Sequence, residues 1–207
     1  MSNESHQPTP RFMGKTRVEA FSDGVIAIII TIMVLELKVP HGVEFATLAK
    51  LLPVFLGYVL SFIYVGIYWN NHHDLFHGAN HVSGGVMWAN LHLLFWLSLT
   101  PFVTGYMTEN HYAALPVVLY GFVLLMCGVA YTVLVVALKR VHPKDSVIHR
   151  AIGSDTKGKI SLIAYTLGII AAHWVPFVAI AIFVAVALMW LVPDRRIERA
   201  MHGTPSE

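Results

Sequence analysis

Long apolar runs separated by short polar stretches dominate the chain. No Asp, Glu, Lys or Arg occurs in residues 51–73, 75–108, 110–138 or 160–193. A helix needs about 20 mainly apolar residues to cross the hydrocarbon core of a bilayer. The first three runs each hold one crossing. The fourth exceeds one ordinary crossing and is interrupted at residues 173–176, so it reads as two short helices joined by a tight turn. Residues 18–39 add one more. The pattern predicts an all-α membrane protein with six helices per subunit, at 17–39, 46–74, 84–107, 112–139, 157–173 and 175–192.

Composition agrees with lipid as the solvent. Apolar residues make up 56% of the chain and charged residues 13%, about half the charged share of an average soluble domain. Lys and Arg accumulate on the cytoplasmic side of membrane proteins. Arg11, Lys15 and Arg17 precede the first helix. Lys139, Arg140, Lys144, Arg150, Lys157 and Lys159 lie between the fourth and fifth, and Arg195, Arg196 and Arg199 follow the sixth. With six crossings these 12 of the 14 basic residues share one side, leaving Lys38 and Lys50 on the other. Both termini are therefore expected in the cytoplasm, with the chain in the cell's plasma (inner) membrane. Residues 1–16 read as a disordered cytoplasmic tail, 17–192 as the transmembrane domain and 193–207 as a second cytoplasmic tail. No cleavable signal peptide is expected, because the polar start carries Pro8 and Pro10 and no cleavage site follows a short apolar core. Cys127 stands alone, so no internal disulfide is possible.

The first helix differs from the others. It opens Arg17-Val18-Glu19-Ala20-Phe21-Ser22-Asp23 and continues as an apolar run to Leu35. Ionisable groups at membrane depth are expensive and usually paired or functional. Asp23 needs a partner, which Arg17 or polar groups on neighbouring helices could supply. Arg-x-x-x-Phe-Ser-Asp at the start of a first membrane helix resembles the signature of the transmembrane protein 175 family of potassium channels. Its animal members carry two six-helix repeats; its single-repeat bacterial and archaeal members assemble as homotetramers. The helix count, single repeat and polar start fit a single-repeat member.

That resemblance implies a tetramer whose first helices line a central pore, with bulky apolar side chains at the narrowest part. The matching positions are Ile28, Ile32 and Leu35 for the constriction or gate and Thr31 for selectivity. Their spacing places them on one helix face, although apolar residues at that spacing occur in any membrane helix. A ring of Ile or Leu can gate by excluding water. The sequence contains no Thr-Val-Gly-Tyr-Gly segment, so it lacks the usual carbonyl filter and selectivity for potassium over sodium is expected to be modest. Trp69, His73 and Asn90 are expected to hydrogen-bond with the signature residues Arg17, Phe21, Ser22 and Asp23 and to fix the pore helix. An interfacial role for Trp69 and Trp88 stays open.

No cofactor, metal or nucleic-acid partner is expected; the partners are the lipid bilayer, further copies of the chain and permeant monovalent cations, K+ foremost. His73, His77 and His81 recur every four residues, which could hold zinc on a helix, but the spacing is read as an interfacial segment in which His takes the place of Lys. Glu36 could join a cation-attracting ring at the outer mouth, or pair with Lys38. Gly121, Gly128 and Gly168 are positions for close helix packing. The competing function is a cation- or proton-coupled transporter, which would want an acid near mid-membrane. An enzyme is not expected, since the histidines do not form the dense ligand clusters that a di-iron site needs.

Overall fold

In the computed structural model, residues 14–144, 146, 148–149 and 155–192 are described. Most of the two tails (1–13 and 193–207), with Arg11, Arg195, Arg196 and Arg199, lies outside the described residues, as does Arg150. The elements are α1 (Lys15–Ile32), a single 3₁₀ turn (Met33–Glu36), α2 (Phe45–Ala49), α3 (Leu52–His77), α4 (Gly84–Ser98), α5 (Thr100–Glu109), α6 (Ala114–Val141), α7 (Thr156–Ala172) and α8 (Pro176–Leu191). Among the described residues, four helical stretches are long and apolar enough to cross a membrane: Lys15–Glu36, Leu52–His77, Gly84–Glu109 and Ala114–Val141. α7 and α8 are shorter, with 17 and 16 residues, or roughly 24–26 Å at 1.5 Å rise per residue.

Local chemistry sets the boundaries. Pro53 and Pro176 sit in the first turns of α3 and α8, where the missing N–H costs nothing. Pro101 separates α4 from α5, because its ring conflicts with the carbonyl four residues earlier. The apolar stretch read as one helix over 84–107 is thus two segments. The first helix also ends sooner than the expected 39: it tightens to 3₁₀ geometry after Ile32, and the chain turns away at Leu37. The second expected helix divides into α2 and α3. Ser83 caps α4 by accepting from the Val86 N–H. Asp155, held in the left-handed region at φ 44°, caps α7 by accepting from the Gly158 N–H.

The core sits where α3, α6, α7 and α8 meet. Phe183 of α8 is fully buried, and its ring lies between Gly121 of α6 and Gly168 of α7. A Cβ at Gly168 would come within 2.4 Å of a Phe183 ring carbon, and one at Gly121 within 2.5 Å. Glycine is therefore what lets the ring enter. Tyr64 of α3 donates to the Phe183 carbonyl at 2.6 Å, fixing α3 to α8. Ser61 bridges to Thr104 of α5 at 2.7 Å and to Tyr120 of α6 at 3.0 Å. These hydroxyls satisfy one another in a setting where an unpaired polar group is expensive. The resulting body leaves α1 packed at one side, antiparallel to α3 and against α4: Lys15 meets His77, and Asp23 meets Trp69.

Candidate conduction helix and its polar anchor

α1, with the 3₁₀ turn that continues it, has two unlike faces. Val18, Ser22, Ile26, Ile29 and Met33 are buried and step by three or four residues, which is one side of a helix. Arg17, Phe21, Gly24, Ile28, Thr31 and Leu35 form the opposite side, and the chain's own helices leave it uncovered. Ile28 is 60% exposed, Leu35 75%, Phe21 54% and Ile32 41%. The structure thus leaves all three expected constriction residues and Thr31 exposed, with Ile28, Thr31 and Leu35 on the open stripe and Ile32 at its edge. A Cβ at Gly24 would meet nothing within 4 Å. Thr31 donates its hydroxyl proton to the Ile28 carbonyl at 2.9 Å. Its oxygen lone pairs stay free on the open face, where they can accept or coordinate a cation.

The buried face is held by polar contacts near the start of the helix. Ser22 is completely buried and donates to the Val18 carbonyl at 2.8 Å. Asn90 of α4 donates its amide N–H to the Ser22 oxygen at 2.8 Å. The Asn90 carbonyl oxygen accepts from Nε2 of His72 at 2.8 Å, and that ring stacks on Phe76 at 4.4 Å. Separately, the Trp69 indole N–H donates to Asp23 at 3.0 Å. Lys15 donates to the His77 carbonyl at 3.3 Å and lies 3.9 Å from Glu19.

Of the expected anchor residues, Ser22, Asp23, Trp69 and Asn90 come together. His73 does not reach Asn90. It lies on the exposed side of α3, stacked between Trp69 and His77 with ring centroids 6.1 Å from each. His72, one residue earlier and about 100° around the helix, takes the place expected of His73. The buried positions Val65, His72 and Phe76 on α3 are the signal that marks it. Phe21 and Arg17 are exposed, and the Arg17 backbone N–H donates to the Gly14 carbonyl at 2.9 Å. The partner of Asp23 is the indole of Trp69.

The remaining candidates also find definite places. Glu36 folds over Gly105 of α5, close enough that a Cβ there would meet its carboxylate at 2.5 Å. Lys38 pairs with Glu109 rather than with Glu36, and that partner raises the Lys38 ammonium above its ordinary range. His81 turns away from His73 and His77 and stacks on His142 at 4.7 Å. Among the described residues, no three His, Cys, Asp or Glu side chains gather as metal ligands.

The arrangement has counterparts among known proteins. The family profile described as endosomal/lysosomal potassium channel TMEM175 matches residues 17–101. A potassium channel of a Chryseobacterium species is 53% identical over 189 residues, covering 91% of this chain and 98% of that protein. The human endosomal/lysosomal proton channel TMEM175 is 40% identical over 87 residues, or 36% of this chain and 16% of that much longer protein. The crystal structure of a lysosomal potassium-selective channel TMEM175 homolog from Chamaesiphon minutus superposes with a TM-score of 0.76 at 26% identity, covering 88% of this chain and 97% of that one.

Proposed function

Because the chain belongs to the TMEM175 family of ion channels, and so is a multi-pass membrane protein and not an enzyme, we propose that it forms a potassium-permeable pore lined by α1. The reading places four copies around one axis, six crossings in each and both termini in the cytoplasm of a cell whose plasma membrane holds the channel. Potassium passes in modest preference to sodium. The observation that carries it is the open stripe of α1, from Arg17 to Leu35, anchored from behind by Ser22 and Asp23.

Each part of the stripe has a physical role in this reading. Ile28 supplies an apolar ring, and a ring of that kind closes by dewetting when narrow and conducts when wide. Ile32 and Leu35 extend it outward. Thr31 offers an oxygen that replaces part of a cation's hydration shell, in place of backbone carbonyls. Residues 1–16 and 193–207 serve as cytoplasmic tails flanking the channel domain, and the pore works without cofactor or metal.

The test is potassium and sodium flux through reconstituted full-length protein, with Ile28→Asn beside the wild type. A polar side chain in the ring holds water, so the substitution is expected to raise resting flux and flatten the potassium-to-sodium ratio. Unchanged flux and ratio would remove Ile28 from the pore. Discrete single-channel steps separate this reading from a coupled transporter, which gives slow saturable flux. Proton flux measured in the same vesicles decides whether potassium or protons dominate.

A further inference from the structure

His142, the residue that ends α6, clamps the connection between α3 and α4. Its ring is buried, at 6% exposure. Nε2 lies 3.0 Å from the backbone nitrogen of Asn80, and Nδ1 lies 2.9 Å from the Leu138 carbonyl. A backbone N–H only donates, so Nε2 must accept and carries no proton. A carbonyl only accepts, so Nδ1 must carry one. The geometry therefore fixes one neutral tautomer, and both ring nitrogens are occupied.

The clamped segment holds the pore helix at second hand. It begins just after His77, whose carbonyl receives Lys15 at the start of α1. It ends at Ser83, the cap of α4, which carries Asn90 to Ser22. Ala79 and Val82 are buried on either side of Asn80, and Ile148 packs at Gly78.

We propose that His142 is a proton-operated latch: neutral, it holds the α3–α4 connection on the end of α6; protonated at Nε2, it turns a proton toward the Asn80 N–H and releases it. Histidine ordinarily changes charge between about pH 5 and pH 8. The clamp is whole where the ring is neutral and is lost as pH falls. The charged and titratable groups on the surrounding described elements are His81 in the connection, Asp74 and His77 in the last turn of α3, Lys139 and Arg140 in the last turn of α6, His149, whose ring bonds the Lys139 carbonyl, and Lys15 of α1. Further such groups are Lys144, two residues on, Glu19, which stands 3.9 Å from Lys15, and Asp155, which lies within electrostatic reach of Lys139. Release of the connection slackens both attachments of α1 that depend on it, and a pH response of the channel follows.

Amide hydrogen exchange on the purified full-length protein tests the latch directly. Rates are compared at about pH 7.5 and about pH 5.5, each divided by the intrinsic rate at that pH. Protection of the Asn80 amide is expected to fall about tenfold in acid, the scale of one lost hydrogen bond, while amides in the middle of α6 hold. In His142→Gln an amide oxygen can accept from Asn80 without titrating, so protection becomes independent of pH. Equal Asn80 protection at both pH values in the wild type overturns the latch, and so does an unchanged pH response in His142→Gln. Potassium flux from vesicles buffered alike inside and out tests the regulatory part, which rests on the channel reading. The pH dependence of flux is expected to differ between wild type and His142→Gln, and identical profiles overturn that role. No flux from either protein at any pH would strike the channel reading and leave the exchange result standing.

Discussion

Asn90→Ala removes the bond between α4 and α1. Asn90 is 1% exposed and makes two hydrogen bonds of 2.8 Å, donating to Ser22 and accepting from His72. Truncation leaves the His72 Nε2 proton without a partner at a position that is itself 1% exposed. A buried polar group left unpaired costs about 1–3 kcal/mol. Ser22 suffers less, because it still donates to Val18. The loss of the side-chain volume adds a small cavity term. The expected cost is therefore about 2–3 kcal/mol in unfolding free energy, read from denaturant titration of the protein in detergent. The bond itself is worth less than its removal. Interhelical hydrogen bonds in membranes give coupling energies averaging about 0.6 kcal/mol and reaching about 1.7. A double-mutant cycle of Asn90→Ala with Ser22→Ala is accordingly expected to give about 0.6–1.7 kcal/mol of coupling, with potassium flux altered in each single variant. Additivity within about 0.3 kcal/mol, the level of independent sites, would refute the proposed anchor.

Other parts of the molecule give equally definite expectations. Gly168→Ala puts a Cβ 2.4 Å from a ring atom of Phe183, which is buried and cannot retreat; overpacking of this kind costs about 1–3 kcal/mol, and Phe183→Leu should recover part of it in a thermal-stability assay. Burial raises the Asp155 carboxyl above its ordinary range, against the Gly158 N–H, Lys139 and Lys159, which pull it down. The raised value means that ionised Asp155 weakens the fold above that pKa and that the penalty fades as pH falls toward the unfolded value. Asn keeps the cap, suits the left-handed backbone at φ 44° and carries no charge, so Asp155→Asn should match or exceed wild-type stability near neutral pH, whereas Asp155→Ala should lose about 1 kcal/mol. Thr31→Val keeps the side-chain shape and removes the oxygen on the open stripe; its potassium-to-sodium flux ratio should fall with stability unchanged.

The helical segments were legible because charge in a bilayer is costly enough to leave gaps that any reader of the chain can find. Their ends were less so. The split at Pro101 follows from the proline itself, whereas the 3₁₀ turn after Ile32 depends on backbone geometry that apolar composition does not encode. In the anchor, Ser22, Asp23, Trp69 and Asn90 could be named because polar residues at membrane depth need partners. Choosing between His72 and His73 could not be done on chemistry, since both are histidines and only the rotation of α3 distinguishes them. His142 gave no signal at all. It follows a helix that ends in Lys139 and Arg140 and resembles one more basic residue, until the fold brings Asn80 to it.

Adjacent residues that point to different helices do more than either contact alone. Ser22 reaches α4 through Asn90, and Asp23 reaches α3 through Trp69. Neighbouring residues on an α-helix are separated by about 100° of rotation. One tether would let α1 swivel about its own axis. Two tethers about 100° apart, on two different partners, fix that rotation. Once it is fixed, every later position inherits its direction: Ile26 and Ile29 must turn inward, and Ile28, Thr31 and Leu35 outward. A rotation of 100° would exchange Ile28 for Ile29, which is chemically invisible, but would replace Thr31 with Ile32 and take the hydroxyl off the stripe. The Ser-Asp pair therefore matters most for Thr31, about two turns away. Loss of the Asp23 tether should accordingly disturb selectivity before it disturbs conduction. In flux assays, Trp69→Phe, which keeps the ring and removes only the N–H, should lower the potassium-to-sodium ratio while total cation flux persists. A ratio equal to wild type would mean that Ser22 alone sets the rotation.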